Sequence, residues 1–257
     1  MLYLVQLAAL EARFNLNFLN KTEATNGLPL FFYSKIAFVL LGLLLLQMHA
    51  SAQSYHRISG DFTQKYKSTD GKQVLIKGRF YFDVKYKKAV YDITFPESQI
   101  WVFEDTVQRI FKGDTLFASM PMTFSNEFSI FHLSLTQRLD NYGLQESVFH
   151  LEKTEVQNDM VVSYWKPQQA LSKQVGRVVL SKKNKQLYGV LFYDPAEVLI
   201  RKQFFRNYSH VMGINFPMEV IDIFYRNGNE VYQKTEYKNI IINEPGKDNR
   251  YRFRYAV

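Results

Sequence analysis

The sequence predicts a mainly β protein, a single curled antiparallel sheet of about ten or eleven strands with one helix over its concave face. Three features predict it. Beyond Tyr55, apolar residues alternate with period two, turn signals recur at the short spacing of a meander, and one stretch alone switches to helical spacing. Composition agrees, because 257 residues that are 47% apolar and 16% aromatic supply an ample core and exclude a disordered chain. The absence of cysteine rules out a disulfide scaffold, a thiol nucleophile, a thiolate metal site and a Cys-anchored lipoprotein. A net charge of +8 suits an anionic partner without specifying one.

Taken in order, the first element is an export signal. Lys35 precedes an unbroken apolar run from Ile36 to Leu46, followed by Ala50-Ser51-Ala52. A spanning helix needs about 20 apolar residues, so the run fits the apolar region of a signal peptide better than an anchor. Small residues at Ala50 and Ala52 place cleavage after Ala52 and make Gln53 the new N-terminus. An uncleaved anchor and a buried helix are the alternatives. The 34 residues before Lys35 are too many for the leading part of a signal peptide, so translation is expected to start nearer Leu28 to Tyr33, with a genuine helix over Leu2 to Leu19 as the alternative. The chain thus divides into an export region, 1–52, and one domain, 53–257.

Within that domain, Val74 to Asp83 puts Ile76, Gly78, Phe80 and Phe82 on one face and Leu75, Lys77, Arg79 and Tyr81 on the other. Ala89 to Phe95 sets Ala89, Tyr91, Ile93 and Phe95 opposite Val90, Asp92 and Thr94. Turns are marked by Asp70-Gly71, Lys112-Gly113-Asp114, Gln157-Asn158-Asp159, Lys182 to Lys185, Asp194-Pro195 and Asn227-Gly228. Between strands, Ser125 can cap a helix whose Phe128, Phe131, Leu135 and Leu139 lie three or four apart, with Gly143 as its stop. That predicts three to four helical turns.

So large a sheet must curl, and one helix covers only part of a concave face. The hollow beside it is either packed shut by Phe and Tyr side chains or left as an apolar cavity, and the solitary helix favours the cavity. Candidate lining residues are Phe80, Phe82, Tyr91, Ile93, Trp101 and Phe103 from the sheet, with Phe128, Phe131 and Leu135 from the helix. Any one of them alone is equally an ordinary core side chain.

Catalysis finds little support. His56, His132, His150 and His210 are scattered without metal-ligand spacing, and no Gly-x-Ser-x-Gly elbow or phosphate-cradling glycine loop is present. No cofactor is expected. The runs at Lys85, Lys87 and Lys88 and at Lys182, Lys183 and Lys185 read as charged turns that guard strand edges, or as docking points for anionic lipid head groups or an acidic patch on a partner. Basic residues dispersed along an exported chain argue against nucleic acid.

Three segments carry a resemblance: Gly60-Asp61-Phe62-Thr63-Gln64-Lys65, Gly78-Arg79-Phe80-Tyr81-Phe82, and Tyr91-Asp92-Ile93-Thr94-Phe95-Pro96-Glu97-Ser98. In order and spacing they resemble the opening of the periplasmic outer-membrane lipoprotein carrier family, LolA-like, and the likeness extends more loosely over residues 55–243. The resemblance implies a half-open β-barrel with a helical lid. It further implies an apolar interior that takes acyl chains of lipoproteins or lipid from an inner-membrane donor and delivers them to an outer-membrane acceptor; a monomer is expected. The family's lid-latching arginine falls at Lys85, which keeps the charge but loses the planar fork of donors, and the proline after it is replaced by Tyr86. The family's cavity-facing tryptophan corresponds to Tyr91. The competing expectation is an envelope interaction module of the same architecture with a filled core.

Overall fold

The computed structural model describes residues 54–254 apart from 68, 69, 105, 123, 124 and 227. The export region predicted over 1–52 lies outside the described residues. Thirteen strands, more than the ten or eleven expected, form one antiparallel sheet. The first six are β1 (Arg57–Lys67), β2 (Gln73–Asp83), β3 (Lys88–Phe95), β4 (Gln99–Glu104), β5 (Val107–Lys112) and β6 (Thr115–Pro121). The remainder are β7 (Phe149–Gln157), β8 (Met160–Pro167), β9 (Val178–Lys183), β10 (Gln186–Tyr193), β11 (Leu199–Val211), β12 (Ile214–Arg226) and β13 (Asn229–Ile242).

Their order explains where the lid lies. The chain meanders outward from β1 to the edge strand β6, leaves that edge, and resumes at the opposite edge as β7. From β7 it meanders back to β13, which pairs with β1 and joins the two halves in mid-sheet. The connection between β6 and β7 carries helix α1 (Ile130–Leu135) and must pass from one edge to the other, which it does across the concave face.

Alternation sorts the side chains as the sequence indicated. Phe80, Phe82, Ala89 and Ile93 enter the concave core with Phe62, Phe205 and Phe216, whereas Tyr81 and Val90 point to the convex side. Phe95 is the exception on its face, lying exposed at the end of β3. Gly78 permits the close pairing of β2 with β3, since a Cβ there would stand 2.2 Å from the Asp92 carbonyl oxygen.

The helix is shorter than predicted. Ser125 does cap a turn, its Oγ accepting from the Glu127 N–H, but that turn is a 3-10 segment limited to Asn126–Phe128. Ser129 then adopts extended backbone and starts α1 afresh by accepting from His132 N–H. Thr136 donates its hydroxyl to the His132 carbonyl at 2.7 Å, and Gln137 turns to positive φ, ending the helix before Leu139. Short polar side chains that bond the neighbouring backbone compete with helix continuation. Single 3-10 turns at Leu139–Asn141 and Leu144–Glu146, separated by positive φ at Tyr142 and Gly143, complete the crossover.

A second short helix, α2 (Asp248–Tyr251), was not anticipated and covers the convex face. Its Tyr251 ring is fully buried, edge-on to Tyr81 at 5.4 Å, with the Arg57 guanidinium 4.9 Å away. Arg57 also pairs with Asp83 at 2.7 Å and with Asp248, so the C-terminal segment is tied to β1 and β2. Removing a large buried aromatic costs about 3–5 kcal/mol. Tyr251→Ala is therefore expected to lower the unfolding free energy by an amount in that range, read as a lowered urea midpoint at unchanged m-value, and an unchanged midpoint would show that the segment is only loosely attached.

Candidate functional site

The site is the concave face beneath and beside the crossover. Under α1 the space is solidly filled. Phe131 stacks on Phe80 with centroids 4.3 Å apart, lies parallel to Phe216 at 6.2 Å, and meets Tyr237 edge-on at 5.7 Å. All six residues of α1 are buried, so the helix acts as a wedge rather than a cap with a solvated face. Beside this plug an open cavity of about 970 Å³ remains. That volume lies at the upper end of the ordinary small-molecule range of about 300–1,000 Å³.

The cavity divides by polarity. Near the plug its walls are Phe131, Tyr91, Tyr237, Val220 and Phe128. Further along β11, β12, β13 and β1, the alternate inward positions become polar, with Gln203 opposite Asp222, Asp222 opposite Gln233, and Gln64 opposite Thr235. Arg201 lines the same stretch, its Nε donating to Asp222 Oδ1 at 2.8 Å and its guanidinium lying 5.3 Å and 5.1 Å from the rings of Phe192 and Phe224. Burial opposes the charge on Arg201, but Asp222 and Tyr142 together outweigh it and hold the guanidinium pKa above its ordinary value. Tyr142, from the crossover, donates its hydroxyl to Gln203 Oε1 at 2.9 Å, and burial pushes its pKa up to about 12.

Of the nine sequence-predicted lining residues, Tyr91, Phe128 and Phe131 border the cavity. Phe80, Phe82 and Ile93 belong to the packed layer under α1, Leu135 to α1 itself, and Trp101 and Phe103 flank them. These six pack in or against the core, and Phe131 covers Phe80 and Phe82 directly, with ring centroids 4.3 Å and 5.8 Å away. Trp101 turns its Nε1 to Gln99 Oε1 at 2.8 Å.

The crossover is tied to the β2–β3 hairpin by neighbours of Lys85. The Lys85 ammonium sits 5.7 Å from the Tyr86 ring, and its backbone N–H donates to Asp83 Oδ1 at 2.9 Å. Asn126 makes the connection, its Nδ2 donating to the carbonyls of Lys87 and Phe103, both at 2.8 Å. Lys87 also pairs with Glu127, which holds that carboxyl below its usual pKa. Both charged side chains of this pair are about half exposed, so it is worth at most ~1 kcal/mol. Asn126 is buried, and its two bonds contribute about 0.5–1.5 kcal/mol each, which makes it the principal latch. A lone Asn next to a capping Ser gives no sequence sign of this role.

No protein-family model matches the chain, and no curated protein does. Solved structures do. A LolA superfamily protein from Nitrosomonas europaea is similar at a TM-score of 0.52 and 11% identity, over 77% of this chain and 91% of that one. A domain described as an outer membrane lipoprotein-sorting protein from Vibrio parahaemolyticus is similar at a TM-score of 0.54 and 12% identity, over 81% of this chain and 94% of that one. The likeness is one of fold, and the curled sheet with its crossover lid is LolA-like.

Two outcomes follow for the lid. Asn126→Ala is expected to cost about 1–3 kcal/mol and to accelerate amide exchange across residues 125–146, with Glu127→Ala having the smaller effect; equal effects would contradict the ranking. His132 is buried in α1 against Phe82, and desolvation lowers its pKa, only partly opposed by Glu127 and reinforced by Arg138 and Lys87. The folded state then binds fewer protons than the unfolded one, so this stability is present above about pH 6.5 and lost as pH falls through the depressed folded value. The urea midpoint should drop on acidification below about pH 6.5 and drop less in His132→Gln. Equal slopes would remove His132 from the account.

Proposed function

We propose that the protein is an exported carrier that holds acyl chains of lipoproteins or lipids in the concave cavity and conveys them through the periplasm toward the outer membrane. In this reading residues 1–52 direct export and are removed after Ala52, and 53–257 form the carrier domain. It acts as a monomer without catalysis or cofactor, between an inner-membrane donor and an outer-membrane acceptor. The observation that carries the reading is the open cavity of about 970 Å³ whose inner end is walled by Tyr91, Phe128 and Phe131. The lipoprotein-sorting description of the similar Vibrio domain supports the cargo class.

Energetics suit reversible carriage. Each buried methylene contributes about 0.8 kcal/mol, so part of one acyl chain is worth several kcal/mol. Release is aided by a latch of one asparagine and a surface ion pair. Displacing Phe131 would add Phe80, Phe82 and Ile93 to the cavity wall, giving these core side chains a role in the loaded state. Lys85, beside the hairpin latch, then tunes lid closure by its charge. A second reading, an interaction module with a filled core, draws on the solid packing under α1 and on exposed Leu116, Phe117 and Met120 along edge strand β6. The cavity beside the plug favours the carrier.

Binding of N-phenyl-1-naphthylamine, an apolar fluorescent probe, tests the reading. The purified protein should enhance its fluorescence saturably, and Tyr91→Glu or Phe128→Glu should weaken binding tenfold or more, because a carboxylate in the apolar wall must be desolvated or protonated. Absence of saturable binding by the unmodified protein would favour the filled-core module.

A further inference from the structure

A hollow built only for hydrocarbon has no use for buried polar groups, yet this cavity carries a band of them. Gln64, Gln203, Gln233 and Thr235 line it together with the Arg201–Asp222 pair, on the four adjacent strands β11, β12, β13 and β1. Both partners of that pair are well buried, with side-chain exposures of 15% and 7%. Three strand-register coincidences were needed to align the band, and polar groups taken from water are costly unless they have partners. The band sits one step along the strands from the apolar end, since Phe205, Val220 and Tyr237 occupy the preceding inward positions of β11, β12 and β13.

We propose that this band is a head-group subsite, which takes the neutral, hydrogen-bonding ester, amide or glycerol portion of an acylated ligand while its tail lies against Phe131, Tyr91 and Val220. The inference rests on the carrier reading and specifies its ligand class. Charge decides for a neutral head. Arg201 and Asp222 cancel, and Asp194, the other charged residue on the cavity wall, is committed to its own turn, where Oδ1 accepts from the N–H groups of Ala196 and Val198. A carboxylate or phosphate head would therefore meet no net positive charge. Carboxamides and a threonine hydroxyl both donate and accept, which matches the carbonyl and hydroxyl groups of an acylglycerol or acyl amide. The subsite also touches the lid. Tyr142 donates to Gln203, so a head group that takes over the Gln203 amide competes with a contact that holds the crossover down.

Competition binding on the full chain tests this, with 1-monooleoylglycerol as the neutral-headed ligand, oleate as its anionic counterpart and N-phenyl-1-naphthylamine as the headless probe. The unmodified protein should prefer monooleoylglycerol to oleate. In the Gln203→Leu/Gln233→Leu protein, the ratio of monooleoylglycerol affinity to probe affinity should fall at least tenfold, since two hydrogen-bonding partners are lost while apolar wall is gained. Should the double variant fail to fold, Gln233→Met at the half-buried position reads the same ratio. An unchanged ratio, or a preference for oleate, overturns the head-group subsite while leaving the carrier standing. Failure of the unmodified protein to bind any of the three overturns both.

Discussion

Everything in this molecule follows from a topological obligation. The two halves of the sheet meet at β1 and β13, so the chain between them must run from one free edge, β6, to the other, β7. Through that passage it crosses the concave face and becomes its roof. The passage is short of helix, and its main apolar hold on the sheet is the Phe131 ring packed against Phe80 and Phe216. Burying such a ring contributes about 1.5–3 kcal/mol, enough to keep the roof down and little enough to be exchanged for an acyl chain of several methylenes.

In the proposed carrier, internal packing and cargo would compete for the same concave face. The closed end is filled by the protein's own aromatic side chains, and the open end is left as cavity. A ligand that enters the cavity reaches Phe131 and Tyr142, two of the crossover residues packed in the sheet interior, and its hydrophobic gain can offset their displacement. On the carrier reading, loading and lid opening are a single equilibrium, with Asn126 at the hairpin as the latch that must give way.

Much of the architecture was legible because its cause is local. Period-two alternation in VLIKGRFYFD and AVYDITF assigned the concave and convex faces of β2 and β3, and the lone helical stretch located the roof. Its length was overestimated because Ser125 and Ser129 both satisfy the N-cap preference, and only packing against the sheet decides that the second one restarts the helix. Trp101 and Phe103 pair with Tyr91 and Ala89 on the inward face, but which inward residues line empty space depends on where one ring, Phe131, inserts. The polar band could not be read at all. Gln64 stands far in sequence from Arg201, Gln203, Asp222 and Gln233, and only strand register unites them. The convex cover by Tyr251 was hidden for the same reason, its helix having four residues and no periodicity to detect.

The most direct test of the central claim is native mass spectrometry of the protein purified under mild conditions from cells that produce it with residues 1–52 in place. The account predicts a population carrying additional mass that fragments to acylated lipid and is displaced by added acyl ligand. A protein that emerges only unliganded, and stays so after incubation with acylglycerols, would mean that the space beside Phe131 holds no hydrocarbon and that the sheet serves another purpose.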